Sequence, residues 1–196
     1  MIVPLHVFEP RYRQLVHDCV ENDRLVAVSH TLKTIHEPSR PQQSTEEALR
    51  SNQATYKSQQ VFSAGRCEIL ETTPDGRLLA TVTMTHRLTL VNDIQSLPYR
   101  IVLCAVLKDR DEASWNEDTR ALQRVIHERL EALVASQNED LASELRRSDW
   151  LALDPETYSY SIFQVLRFPA DIMQHLLEID SVTERMEALA GLLGVD

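Results

Sequence analysis

Pro4-Leu5-His6-Val7-Phe8-Glu9-Pro10-Arg11-Tyr12-Arg13-Gln14-Leu15-Val16 writes a short strand that turns directly into a helix. Val3, Leu5 and Val7 alternate with other residues, as a half-buried strand requires. Pro10 supplies the fixed φ favoured at the first helical position, where a missing N–H costs nothing. Glu9 sets a negative charge at the helix's positive end. Tyr12, Leu15, Val16, Cys19 and Val20 then recur at helical spacing, predicting one apolar stripe against a core. Asn22 and Asp23 close that helix.

Downstream, the first half continues with the period of strands. Leu25 to Val28 reads as a strand, and Ser29-His30 leads out of it. Between Thr34 and Gln60 the composition shifts to Pro, Gln, Ser, Thr and Glu, predicting a long mobile loop. Ser44 and Glu47 have capping-box spacing inside it, which allows a short helix over 45–51. Strand signals resume at Val61-Phe62 and Arg66 to Leu70, and Thr73-Pro74-Asp75-Gly76 makes a turn. From Leu78 to Leu90 an apolar face (Leu78, Ala80, Val82, Met84, His86, Leu88, Leu90) alternates with a Thr-rich one bearing Arg87. His86 is read there as a hydrogen-bonded core histidine. Ile101 to Leu107 is apolar throughout and is expected to be a central strand covered on both faces.

Past about Ser114 the period becomes 3.6. Leu122, Val125, Ile126, Leu130, Leu133 and Val134 predict a long helix, and Asn138 to Arg146 a shorter one. Asp154-Pro155 is an N-cap with proline at N1. A helix over Ala170 to Ile179 follows Pro169. Ser181 and Glu184 form a capping box before a last helix with Val182, Met186, Leu189 and Leu193 inward. The reading is an α+β chain with a β-rich part over residues 1–113 and a helical part over 114–196.

Among 196 residues, 43% are hydrophobic and 26% charged, as in ordinary globular proteins. The longest apolar run, Ile101 to Leu107, is too short to cross a bilayer, and the amino terminus lacks a secretory pattern, so cytoplasm is expected. Cys19, Cys67 and Cys104 form no CxxC pair, and the seven histidines are scattered; no metal and no cofactor is expected. A net charge of −10 argues against non-specific nucleic-acid binding. No GxxxxGK[ST] phosphate loop and no GxSxG elbow occurs, so no catalytic residue is assigned. Paired acids such as Asp109 and Asp111 are read as solvated. Glu9 and Arg87, charged residues in apolar surroundings, are expected to meet or to reach backbone groups. Arg11 and Arg13 are placed on the solvent side of their helix.

The segment from Pro4 to Tyr12 resembles the signature of the Lon protease amino-terminal, or substrate-binding, domain. The resemblance is densest at Phe8, Glu9, Pro10, Arg11 and Tyr12. Echoes follow in order at Pro74-Asp75-Gly76-Arg77, at Arg87 and at Leu97-Pro98-Tyr99. It implies a PUA-like β pseudobarrel followed by a helical bundle. It also implies a non-enzymatic module that binds polypeptide segments or a partner protein, as an adaptor or chaperone-like protein, through an apolar groove between its two halves. The ATPase and Ser–Lys protease modules of full Lon proteases are not found in this sequence. Tyr56, Phe62 and Trp115 are offered as polypeptide contacts, with ordinary packing as the alternative. Family members carry a further apolar strand ahead of the signature, whereas Met1 lies three residues before Pro4. Either translation starts upstream or a sheet edge is open, so the expectation is a monomer or a weak homodimer through that edge. An RNA-binding PUA-like protein is the runner-up, and a small hydrolase with an unrecognised site the third reading.

Overall fold

The computed structural model describes residues 1–36, 55–111, 115–147 and 149–195. The architecture is α+β, with strands first and helices after. Two compact units divide at Leu107/Lys108, six residues before the expected boundary. The 45–51 helix and most of the 34–60 loop fall outside the described residues. The described ends of that loop are strands, not irregular chain.

In the first unit, β1 (Ile2–Val7) leads into α1 (Pro10–Glu21), followed by β2 (Val26–Val28), β3 (Thr31–His36), β4 (Thr55–Ser58), β5 (Val61–Thr72), β6 (Leu78–Gln95) and β7 (Ile101–Val106). All pairings are antiparallel: β1-β6-β5-β2 in order, β7 also on β6, and β3 with β4 as a separate ribbon. The 18-residue β6 is the axis. Its first half pairs with β1 and its second with β7, while β5 lies along the other side. Leu78, Ala80 and Val82 are at most 2% exposed, as their alternation predicts. They pack with Val7, Val16, Cys19 and Val26, so α1 lies on the sheet through Val16 and Cys19. Tyr12 and Val20 fall outside this contact and stay exposed, which makes the apolar stripe narrower than its spacing suggests.

Two expectations for the strands are corrected. His86 is exposed, its Nδ1 2.8 Å from the Thr85 hydroxyl. The cause is local: Thr85 is an extra residue in β6, between the pairs Ala64/His86 and Gly65/Met84, and such a bulge redirects its neighbours. Secondly, β7 is not a doubly covered strand. Among the described residues it pairs only with β6, and Leu103 and Val106 are more than half exposed. They join Val91, Ile94 and Leu97 as exposed apolar residues of this ribbon and its turn.

The second unit holds α2 (Glu117–Ala135), α3 (Glu139–Arg147), a 3-10 turn (Asp149–Ala152), α4 (Pro155–Ser161), a second 3-10 turn (Ile162–Gln164), α5 (Ala170–Glu178) and α6 (Val182–Leu193). The predicted caps are present: Asp154 accepts from Thr157 N at 2.8 Å and Ser181 from Glu184 N at 3.1 Å. Ile126, Leu130, Tyr158, Ile162, Leu176, Met186 and Leu189 are fully buried in one core. None of these helices is long and apolar enough to cross a membrane.

The periodicity did not anticipate Arg185, which has no exposed surface. Its guanidinium grips Asp109 through two bonds of 3.0 and 2.8 Å and donates to Ser159 Oγ and the Ile179 carbonyl. It also stacks 4.3 Å from the Tyr160 ring. Asp111 accepts from Val182 N, Thr183 N and the Ser181 hydroxyl, and so caps α6 from outside the helix. The solvated reading of Asp109 and Asp111 is therefore wrong. Buried carboxylates need such partners, and here they come from residues about 70 positions away. These contacts also explain why the second unit begins as early as Lys108.

Two consequences are measurable. A Cβ on Gly65 would stand 1.8 Å from the Thr83 carbonyl oxygen at the bulge. Gly65→Ala should therefore lower the urea midpoint, with a loss of about 3 kcal/mol and an unchanged slope. Partial burial raises the Asp111 pKa, but its bonds to Thr183 N, Val182 N and Ser181 outweigh that and hold it at about 2. Because its folded pKa lies below the unfolded one, Asp111 contributes stability that is fully present above about pH 4 and drains away as pH falls towards 2. Asp111→Asn should cost about 1 kcal/mol at neutral pH and flatten that acid limb in unfolding scans.

Candidate polypeptide-binding trough

The sheet order leaves β1 and β2 as edges among the described residues, each with one partner. Between them, beside the start of α1, runs an open trough of about 340 Å3. Its walls are Leu5–Glu9 from the signature, Tyr12, Leu15 and Val16 from α1, and Val26–Ser29 from β2. The lining is mostly apolar, and Tyr12 and Val28 stand open to solvent at 40% and 37%. The His6 ring is exposed and meets Phe8 edge-on at 6.4 Å between centroids.

The polar backbone of this edge can be read from the register. Met84 N donates to the Met1 carbonyl at 2.8 Å, opposite which the Ile2/Thr83 pairing begins. Alternation along an antiparallel pair then aims the N–H and C=O of Val3, Leu5 and Val7 at β6. Those of Ile2, Pro4 and His6 face the free edge. Pro4 thus falls where its missing N–H leaves no ladder bond unmade, and it interrupts the row of edge donors. A continuous added strand is disfavoured there, and side-chain burial has to supply most of any binding energy.

The signature charges are neutralised within the site. Glu9 is 6% exposed, and Arg11 Nε and Nη2 reach its Oε2 at 3.1 and 3.0 Å. Its carbonyl receives Tyr12 N and Arg13 N, both at 3.0 Å, so the backbone starts α1. Arg11 also lies 4.6 Å from the centre of the Tyr12 ring. Arg13 donates to the Gly76 carbonyl at 3.0 Å, tying α1 to the β5–β6 turn, where Gly76 has φ +85°. Neither arginine is a free solvent-side residue, because each serves a fixed acceptor. Arg87 donates from Nε to the Leu107 carbonyl at 3.4 Å, the backbone contact allowed for it. The Tyr99 hydroxyl donates to Asp18, which gives the third family echo a role in holding α1.

The three aromatic residues offered as contacts are placed differently. Tyr56 on β4 is 45% exposed. Burial raises the Tyr12 pKa, Arg11 opposes this, and Glu9 and Tyr56 add to it. Phe62 is 3% exposed and packs with Ala64 and Leu88, so its surface is already spent on the core. Trp115 packs against the core of the helical unit. Tyr56 is thus the exposed one of the three, while Phe62 and Trp115 pack against core clusters. Val26–Ser29 as the second wall could not be inferred from residue types, because the trough comes from strand order. Among the described residues no group of three His, Cys, Asp or Glu could hold a metal.

Residues 1–194 match the family model of the ATP-dependent protease La (LON) substrate-binding domain. The N-terminal domain of Mycobacterium avium complex Lon protease is similar with a TM-score of 0.69 at 14% identity, over 99% of this chain and 90% of that one. The Lon N-terminal domain protein from Xanthomonas campestris gives 0.61 at 16% identity, over 97% and 89%. At these identities the likeness is one of fold. No curated protein matches the chain. With the signature, the fold and nearly the full length in agreement, the chain belongs to the Lon substrate-binding domain family.

Proposed function

We propose that this protein is a non-enzymatic module that binds extended, apolar polypeptide segments in the trough between β1 and β2, acting in the cytoplasm as an adaptor or chaperone-like protein. The observation that carries this reading is an apolar trough built from the family signature itself, with Tyr12 and Val28 exposed along it. A client side chain entering it would leave water against Leu5, Tyr12, Leu15 and Val28, at roughly 25 cal/mol for each Å2 of apolar surface removed. Tyr12 supplies rigid contact area at little entropic cost. RNA binding gains no support from charge: residues 1–107 hold 11 basic and 11 acidic residues, with no excess to neutralise phosphates.

Binding of a fluorescent, apolar, unstructured peptide to the full chain tests this reading. Val28→Asp puts a charge on the trough wall, and Tyr12→Ala removes an exposed ring; each should weaken binding by about tenfold or more, or about 1.4 kcal/mol. Leu103→Asp, on β7 outside the trough, should leave it unchanged. All three positions are exposed, so their melting temperatures should stay close to that of the parent. Equal affinity of all four proteins would overturn the assignment of the trough.

A further inference from the structure

The edge chemistry of the trough narrows the conformation of the chain it can take. A strand laid along β1 would meet the outward carbonyls of Ile2, Pro4 and His6, but the N–H groups of Ile2 and His6 alone. The client carbonyl opposite Pro4 would leave water with no donor to receive it, and a bond left unmade in that way costs more than a made one contributes. The other edge, β2, runs only from Val26 to Val28 and offers few ladder bonds in exchange. The side chains of the walls favour something else. His6, Phe8 and Tyr12 put three rings on the signature side, His6 and Tyr12 exposed and Phe8 half-buried. Arg11 holds the Tyr12 ring from one face, 4.6 Å from its centre, and the residue still exposes 40% of its surface. Ring faces carry partial negative charge, which suits the polarised C–H groups of a proline ring. Among the described lining residues Glu9 alone is charged, and Arg11 pairs with it at 3.0 Å. An uncharged segment therefore complements the wall.

We propose that the trough takes an uncharged, proline-bearing segment in the polyproline II conformation, packed on the rings of His6, Phe8 and Tyr12. This rests on the trough reading above and names its client class. Such a segment needs no ladder and keeps its backbone solvated, so the donor missing at Pro4 costs it nothing. Proline also fixes φ in the free peptide, so less conformational freedom is lost on binding. Aromatic-lined grooves take polyproline II ligands on the same grounds. Burial raises the Tyr12 pKa, so its hydroxyl keeps its proton and stays a donor suited to a client carbonyl.

The test uses the full chain and two fluorescent, uncharged peptides of equal length. One carries proline at every third position, and the other carries valine there and extends readily as a strand. The proline peptide should bind about tenfold tighter. Pro4→Val restores the missing edge N–H at an exposed position. It should strengthen binding of the valine peptide severalfold and leave the proline peptide unchanged. If the valine peptide binds the parent protein as tightly as the proline peptide, yet Val28→Asp abolishes binding of both, the client class is wrong and the trough reading stands. If neither peptide binds, or if both bind Val28→Asp as they bind the parent, both readings fall.

Discussion

One strand of eighteen residues has to serve three partners, and the rest of the first unit follows from that constraint. A strand this long cannot stay flat, because the right-handed twist accumulates along it. β6 accommodates this with a bulge at Thr85 facing β5, and its pairing with β7 shifts register at Val91 and Ile94. Gly65 is the residue that permits the first, since the backbone at Thr83 and Met84 comes too close for any Cβ. By sharing one side of β6 between β1 and β7, the sheet leaves β1 and β2 at the two ends of the β1-β6-β5-β2 path, with β7 a further strand that has one partner. The trough is the space those two unpaired ends leave beside α1.

The helical unit is organised around a different constraint, a buried cation. Arg185 takes Asp109, Ser159, Ile179 and the Tyr160 ring as partners, and Asp111 caps the same helix one turn earlier. Such a network contributes little net energy over an apolar core, but it is costly to break in part. It fixes which chain segment starts the unit. Acidic residues of this unit serve as caps and as partners in these pairs.

The sequence was most legible where one segment decides its own conformation. The strand-to-helix signature, the Thr73–Gly76 turn, the Asp154 and Ser181 caps and the inward residues of α6 follow from local chemistry. It was less legible where partners lie far apart in the chain. Seven consecutive apolar residues fit both a doubly covered strand and β7, which has one partner and exposed leucine and valine side chains. Arg185 falls on the inward face of α6, three residues after Val182, and its burial is tolerable through partners remote in the chain, above all Asp109, 76 residues away. The trough had half its wall in plain view as the signature. Its other half, Val26–Ser29, is ordinary strand sequence that matters only through the order β1-β6-β5-β2.

Hydrogen–deuterium exchange of the full chain, with and without a saturating apolar peptide, tests the central claim most directly. Protection should rise in Leu5–Tyr12 and Val26–Ser29, the two walls of the trough, while the exposed ribbon from Val91 to Val106 exchanges as before. Protection confined to that ribbon or to the helical unit, with the trough walls unaffected, would contradict the account and move the binding surface elsewhere.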